Sequence, residues 1–236
     1  QVFSLEMRAT ELAERLIYST GQVRPYQVNN GCVEWQAFTY AENALRPLPF
    51  YINDFSRSLD EIVSRLTQSV KKGRCDVAFI DYLGLMSDAV ALSGNVKLYQ
   101  VIAKITGTLK AVAKRLGIPI VLLSQMNREQ VREKRAPELY DLRDSGSIEQ
   151  DADMVIFIHR PGMLGMSEDL SEAEILIAKN RSGQVGTIPM RYNGDLVRFE
   201  DARPLFYESK VNEVSQPAIP VAAANIVNNQ SAAQQQ

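Results

Sequence analysis

Val77-Ala78-Phe79-Ile80-Asp81 is an apolar run that ends in a carboxylate. A short, uninterrupted run of this kind, rich in β-branched and aromatic residues, reads as a buried strand. The same form recurs on either side of it. Downstream, residues 118–123 lead into Ser124-Gln125-Met126-Asn127-Arg128. Upstream, Val2-Phe3-Ser4-Leu5 leads into Glu6. Between the 77–80 strand and the one downstream lies the longest helical pattern, residues 98–116, stopped by Gly117 and Pro119. Before the 77–80 strand, Ser58-Leu59-Asp60-Glu61 has capping-box spacing, followed by Ile62, Leu66 and Val70 at helical intervals. Strands alternating with helices of this length imply parallel pairing, hence an α/β fold with a mainly parallel, twisted, doubly wound sheet flanked by helices.

The remaining chain fits around this centre. Residues 6–19 and 33–45 read as helices, bounded by Gly21 and Pro25 and by Gly31 and Pro47, and residues 50–52 as a short strand. Residues 129–150 are polar, charged and read as mostly irregular. Residues 154–158 form a further strand. Residues 175–178 and 185–191 flank Ser182-Gly183 and read as a β-hairpin, with a last strand at 197–199. The hairpin is expected as an antiparallel edge at the C-terminal end of the sheet. Residues 1–201 are assigned to one α/β domain. Residues 202–236 are assigned to a low-complexity tail: from 214 onward there is no charged residue, and Ala, Gln and Asn dominate. Such a segment lacks the apolar periodicity for a core and is expected to be disordered.

Composition narrows the class of protein. The chain has 236 residues, 45% hydrophobic and 23% charged, which suits one sizeable folded domain. The net charge of -2 excludes a basic field over the whole surface, so a polyanion must be gripped by local groups. No run approaches the ~18 apolar residues of a membrane span, and residues 1–6 lack the features of a secretory signal. Two cysteines, Cys32 and Cys75, make neither a disulfide framework nor a metal spacing. Reduced thiols and a cytoplasmic location are expected.

In open parallel sheets, ligands bind beyond the carboxyl ends of the strands. Glu6, Asp81 and Gln125 each stand directly after an apolar run. Taken singly, each has an ordinary structural reading: a turn residue, a first-turn acid, a loop amide. Taken together they could surround one anionic, metal-bearing ligand. An apolar strand ending in Asp is the pattern by which a carboxylate holds Mg²⁺ against nucleotide phosphates. His159, the single histidine, has no nucleophile at catalytic spacing and reads as structural. Trp35, Tyr18, Tyr26 and Tyr40 have no regular spacing, so packing is expected of them rather than base stacking.

Five motifs occur in order. They are Phe3-Ser4-Leu5-Glu6-Met7, Ile80-Asp81-Tyr82-Leu83-Gly84-Leu85-Met86, Leu123-Ser124-Gln125-Met126-Asn127-Arg128, the thirteen-residue run from Asp141-Leu142-Arg143-Asp144-Ser145-Gly146 through Ile148-Glu149-Gln150 to Asp153, and Ile177-Ala178-Lys179-Asn180-Arg181-Ser182-Gly183 with Gly186-Thr187. The series resembles the carboxy-terminal, RecA-like ATPase domain of the DnaB-type replicative DNA helicases of bacteria and their phages, over residues 1–201. The resemblance implies ATP and Mg²⁺ as cofactors. It implies that Glu6 activates the attacking water, Asp81 is the Mg²⁺-linked acid and Gln125 senses the γ-phosphate. Arg15 falls where the family has an arginine near the phosphates, its alternative being a solvated helix arginine. Lys179 and Arg181 resemble the pair that reaches a neighbouring subunit's nucleotide, with Arg181 as arginine finger. Alternation along a strand puts both on one face, as that role requires. Arg143, Asp144 and Gly146 resemble the segment that grips single-stranded DNA. Asp144 stands where the family usually has Glu, with the same sign and a shorter reach.

The resemblance implies a homohexameric ring that uses ATP to move 5′ to 3′ on single-stranded DNA and unwinds replication-fork DNA. Primase and a helicase loader are the partners it implies, and no membrane. A phosphate-binding G-x-x-x-x-G-K-[ST] loop is absent from the 236 residues. By resemblance it would precede residue 1, so the chain is expected to be a fragment and to lack ATPase activity alone. Two alternatives stand beside this reading: a RecA-like recombination ATPase, and an inactive remnant that binds DNA or other subunits.

Overall fold

The computed structural model describes residues 1–202 apart from 33, 82, 85–96, 128, 143 and 144. The tail expected over 202–236 lies, from residue 203 onward, outside the described residues, and so do Arg143 and Asp144.

Four strands form a parallel sheet in the order β2-β1-β3-β4: β1 (Val2–Ser4), β2 (Ile52–Asn53), β3 (Ala78–Asp81) and β4 (Ile120–Leu122). In register, Phe3 lies opposite Ile80, Ser4 opposite Asp81, and Ile80 opposite Leu122. The connections carry helices, as parallel pairing demands. Between β1 and β2 run α1 (Ala9–Gly21), α2 (Pro25–Asn29) and α3 (Trp35–Leu45), and between β2 and β3 runs α4 (Leu59–Lys71). Pro25 does more than break a helix: it occupies the first turn of α2, where its missing N–H has no partner to lose.

Helix α4 shows how local chemistry sets an element. The Ser58 hydroxyl accepts from the Glu61 backbone N–H at 3.2 Å, capping the helix. The Glu61 carboxylate does not close the reciprocal half of the box. It accepts from the Arg57 N–H at 2.9 Å, one residue further out. Ile62 and Leu66 are fully buried one turn apart. Helix α5 (Leu98–Leu116), which precedes β4, has the bounds expected from its pattern. It ends at Gly117, which takes the left-handed φ of 68° that glycine adopts without penalty.

The core joins Phe3, Ile80 and Leu83 to Ile62 and Leu66 of α4, to Val101, Ile102, Ile105, Leu109 and Val112 of α5, and to Val155 and Phe157. An apolar run such as 77–80 predicts burial on both faces of the sheet. Ala78 and Ile80 are buried, but Phe79 between them is 38% exposed, and Val121 and Leu123 are exposed beside it. Burial in β3 therefore alternates.

The C-terminal half corrects two expectations. Residues 129–150 are not mostly irregular: they contain α6 (Glu129–Glu133), a 3-10 turn (Leu139–Asp141) and α7 (Ser145–Asp151). The hairpin is not a mere edge. Strands β5 (Met154–His159), β6 (Glu172–Asn180), β7 (Gly186–Asn193) and β8 (Arg198–Asp201) form a four-stranded antiparallel sheet in sequence order. β5 pairs with β6 through a bulge at Val155/Ile156. The hairpin read over 175–178 and 185–191 is the β6–β7 pair, whereas the pattern of apolar residues locates β5 and β8 without saying that they pair onto it.

Candidate functional site

Glu6 sits in the turn after β1. The buried Ser4 makes that turn: its hydroxyl donates to the Met7 carbonyl at 2.7 Å and accepts from the Met7 N–H at 3.2 Å. The strand therefore stops at Ser4, and the Glu6 side chain is exposed at its carboxyl end. Two further contacts hold the turn. Arg57 donates from its guanidinium to the Leu5 carbonyl at 2.5 Å, and Asp54 accepts from the Ala9 N–H at 2.8 Å. Arg57 thus brings a cation to the residue next to Glu6. The sequence offers no signal for it beyond a basic residue before the Ser58 cap.

Asp81 closes β3, and its backbone carbonyl accepts from the Leu5 N–H at 2.7 Å. The ends of β1 and β3 are therefore held side by side, ~5 Å apart as in any sheet. Partial burial raises the Asp81 carboxyl above the ordinary carboxylate value. The negative charge of Glu6 raises it further, and the Arg15 guanidinium offsets part of the rise. Asp81 thus senses the charge of both Glu6 and Arg15. Among the described residues there is no group of three or more acidic, His or Cys side chains able to cage a metal ion. Mg²⁺ does not need one, since it is held by one or two carboxylates plus substrate phosphates. Two neighbouring acids, one of them resisting ionisation, fit that donor set.

Gln125 lies past the end of β4, exposed, on the strand next to β3. The β3–β4 ends are tied by Leu123 N–H to the Ile80 carbonyl and Leu83 N–H to the Leu123 carbonyl, both at 2.9 Å. Glu6, Asp81 and Gln125 therefore stand at the carboxyl ends of three adjacent strands. Beyond Gln125 the chain pairs again: Met126 forms an antiparallel bridge with Leu142, and the Asn127 N–H donates to the Asp141 carbonyl at 2.9 Å.

Lys179 and Arg181 lie elsewhere, at the end of β6 and in the turn that follows. Both reach one element, although Arg181 lies past the end of the strand on which alternation was expected to place it. The Lys179 ammonium donates to the Glu149 carbonyl. The Arg181 guanidinium donates to the Gln150 carbonyl at 2.6 Å and to the Asp153 carboxylate at 3.1 Å. These carbonyls belong to the last turn of α7, where they lack helical partners and carry the negative end of the helix dipole. Asp153 is held below the ordinary carboxylate range, first by Lys110 and then by Arg181. Asn180 shapes the turn, accepting from the Ser182 N–H and donating to the Gln184 carbonyl.

Of the expected DNA-contacting residues, Gly146 is described. It lies in the first turn of α7, is exposed, and has open space where a Cβ would project. Packing therefore does not demand glycine here. His159 is buried in β5, in keeping with a structural role. The packing expected of the aromatics fails: Trp35 is 73% exposed, Tyr40 66% and Tyr26 55%, while Tyr18 is half-buried. Helix α3 packs on α1 through the other side, where the Gly21 position touches Ala37 and Ala41.

Three comparisons bear on this arrangement. The chain is 39% identical over 210 residues to the replicative DNA helicase DnaB of Haemophilus influenzae, covering 85% of this chain and 44% of that protein. It is 34% identical to a probable replicative DNA helicase of Trieres chinensis, covering 84% and 46%. The chain thus spans a little under half the length of these curated relatives. Among solved structures, a DnaB-like replicative helicase, solved with its interactions with primase, superposes with a TM-score of 0.76 at 28% identity, over 86% of this chain and 50% of that one. A separately solved ATPase domain also gives 0.76, at 29% identity, covering 86% of this chain and 74% of that one. A KaiC-like protein of Pyrococcus horikoshii, at 15% identity and a TM-score of 0.51, shares the fold alone. The DnaB-like helicase C-terminal domain model matches residues 1–201, the span that carries both sheets and all three strand-end side chains, and the chain belongs to that family.

Proposed function

We propose that this chain is the motor part of a cytoplasmic replicative DNA helicase. In this reading six copies form a ring, and ATP hydrolysis drives the ring 5′ to 3′ along single-stranded DNA to unwind the fork. The observation that supports it best is the row of Glu6, Asp81 and Gln125 at adjacent strand ends, with Arg15 in electrostatic reach of Asp81. Bound Mg²⁺ would supply neutralisation of phosphate charge, and Asp81, with Glu6 beside it, is the group to hold it.

Each side chain then has one task. Glu6 orients the attacking water and accepts its proton. Gln125, a neutral amide, exchanges hydrogen bonds with the terminal phosphate without adding a fixed charge. Arg15 lends positive charge on the same side. Lys179 and Arg181 leave the carbonyls of α7 and reach a neighbouring copy's nucleotide, where a planar guanidinium suits developing phosphoryl charge. Arg143, Asp144 and Gly146 hold the DNA backbone, and such contacts carry no sequence information. Primase and a loader are the proposed protein partners. A DnaB-like helicase among the structural neighbours was solved with its interactions with primase.

Binding of fluorescent oligonucleotides tests the reading without requiring turnover. The 236-residue chain should bind oligo-dT and a mixed-sequence strand equally, and Arg143→Ala should weaken both by roughly ten- to a hundredfold, the worth of one charge-assisted contact. A strong preference for one sequence, or unchanged affinity in the variant, would refute the DNA-contact assignment.

A further inference from the structure

Every peptide group in the turn from β1 to α1 is held by a hydrogen bond. The Leu5 N–H donates to the Asp81 carbonyl at 2.7 Å. The Leu5 carbonyl accepts from the Arg57 guanidinium at 2.5 Å. The Met7 N–H donates to the Ser4 hydroxyl at 3.2 Å, and that hydroxyl donates to the Met7 carbonyl at 2.7 Å. The Ala9 N–H donates to the Asp54 carboxylate at 2.8 Å. A peptide group is planar, so a bond to its carbonyl or its N–H restrains the whole plane.

Glu6 hangs between two of these planes. The plane after it, through the Met7 N–H, is tied within the turn by Ser4. The plane before it, through the Leu5 carbonyl, is tied among the described residues by Arg57 alone. Among the described residues no group donates to the Glu6 carboxylate, so its place is set by the backbone on either side. Arg57 and Asp54 belong to one loop, between β2 and α4, which has little freedom of its own. The buried Asn53 side chain accepts from the N–H of Ser56, itself buried, at 2.9 Å. Glu61 of α4 accepts from the Arg57 N–H at 2.9 Å, and the Arg65 guanidinium lies 4.3 Å over the Phe55 ring. Helix α4 is anchored in turn by Ile62 and Leu66 in the core. The loop therefore reaches from the core to Leu5 on one side of Glu6 and to Ala9 on the other.

We propose that Arg57 and Asp54 are positioning residues for Glu6: by pinning the turn before and after it, they hold its carboxylate at the end of β1, beside Asp81. Neither touches the reacting atoms. The proposal rests on the functional reading above for the task of Glu6. The brace itself rests on the hydrogen bonds of residues 4–9 and 53–58. A group that orients a reacting water must stay within about 0.5 Å of its productive place, which an exposed turn does not ensure unaided.

Paramagnetic broadening of the carboxylate carbons in the full 236-residue chain tests it, with Mn²⁺ in place of Mg²⁺. In wild type, Mn²⁺ should broaden the Glu6 and Asp81 carbons alike. In Arg57→Ala the Glu6 carbon should lose about two-thirds of its broadening relative to Asp81, since the effect falls steeply with distance and a lost support loosens a side chain by about 1 Å. Arg57→Lys keeps a cationic donor and should restore most of the loss. Asp54→Asn keeps an acceptor for the Ala9 N–H and should stay near wild type, whereas Asp54→Ala should resemble Arg57→Ala. An unchanged ratio in both alanine variants overturns the proposal, and so does an equal loss in Arg57→Ala and Arg57→Lys. If an alanine variant loses the fold, Arg57→Met, which keeps the stem without the donor, is read in its place. Amide exchange gives a second arm that needs no metal. Arg57→Ala and Asp54→Ala should each raise exchange at Met7 and Ala9 by roughly tenfold, the effect of losing one charge-assisted hydrogen bond, and leave β3 and the middle of α4 unchanged. If Mn²⁺ leaves the Glu6 carbon sharp in wild type, the reading of Glu6 beside the metal fails. Exchange then decides the brace, and no rise at Met7 and Ala9 overturns it.

Discussion

At Asp81 the folded environment opposes ionisation, because the carboxylate is partly desolvated and lies within electrostatic reach of Glu6. A carboxyl whose folded value is raised favours the fold below the ordinary carboxylate range and loses that contribution as pH rises through the raised value. Near pH 7 the charge is therefore a cost that a cation would relieve. Asp81→Asn should raise the thermal midpoint at pH 7 without Mg²⁺, by on the order of 2 °C, since solvent screens a half-exposed group. It should also abolish any stabilisation by added Mg²⁺. Melting curves with and without the metal check both, and a lower midpoint in the variant would sink the argument. Asp141 has the opposite sign: Arg135 holds its carboxyl below the ordinary range. Its contribution is present above that range and is lost as pH falls through the lowered value. The residue types at these sites are legible in the sequence, but the environments are not. Nothing in the order of residues says that Asp81 senses Glu6 or that Arg135 turns back onto Asp141.

Elements differ in what holds them. Helix α4 is specified locally by a capping serine and an apolar stripe, and reads correctly from sequence. Ser58→Ala should cost about 1 kcal/mol of stability, and Leu66→Ala, at a fully buried position, about 2–5 kcal/mol. Chemical denaturation measures both, and equal losses would show that the stripe does not dominate the cap. Helix α7 has no comparable pattern, and its residues read as irregular. It is held from outside: Asp151 accepts from the Thr106 hydroxyl at 2.6 Å, and Lys179 and Arg181 cover its last carbonyls. A helix that depends on distant partners leaves little periodicity to read. The exposure of the α3 aromatics has a related cause. Without regular spacing, the sequence does not say which side of the helix meets α1.

Across the whole molecule, a net charge of -2 is compatible with DNA binding only if the grip is local. A ring would multiply one such grip several-fold. The 236 residues contain no G-x-x-x-x-G-K-[ST] loop, and the β- and γ-phosphates need its backbone N–H groups and lysine. The chain by itself should therefore show no ATP turnover with Mg²⁺ and single-stranded DNA. Clear steady-state hydrolysis that disappears in Glu6→Gln would overturn that expectation. Residue order was enough for the element types in the first half of the chain apart from the short helix α2, for the succession of the motifs and for the chemistry available at each strand end. These follow from periodicity, caps and residue type, which are local properties. The pairing of β5 and β8 onto the β6–β7 hairpin, the existence of α7 and the buried Arg135–Asp141 ion pair emerged with the folded chain alone. Strand pairing, distant capping and burial of charge depend on which surfaces meet, and no local pattern encodes that meeting.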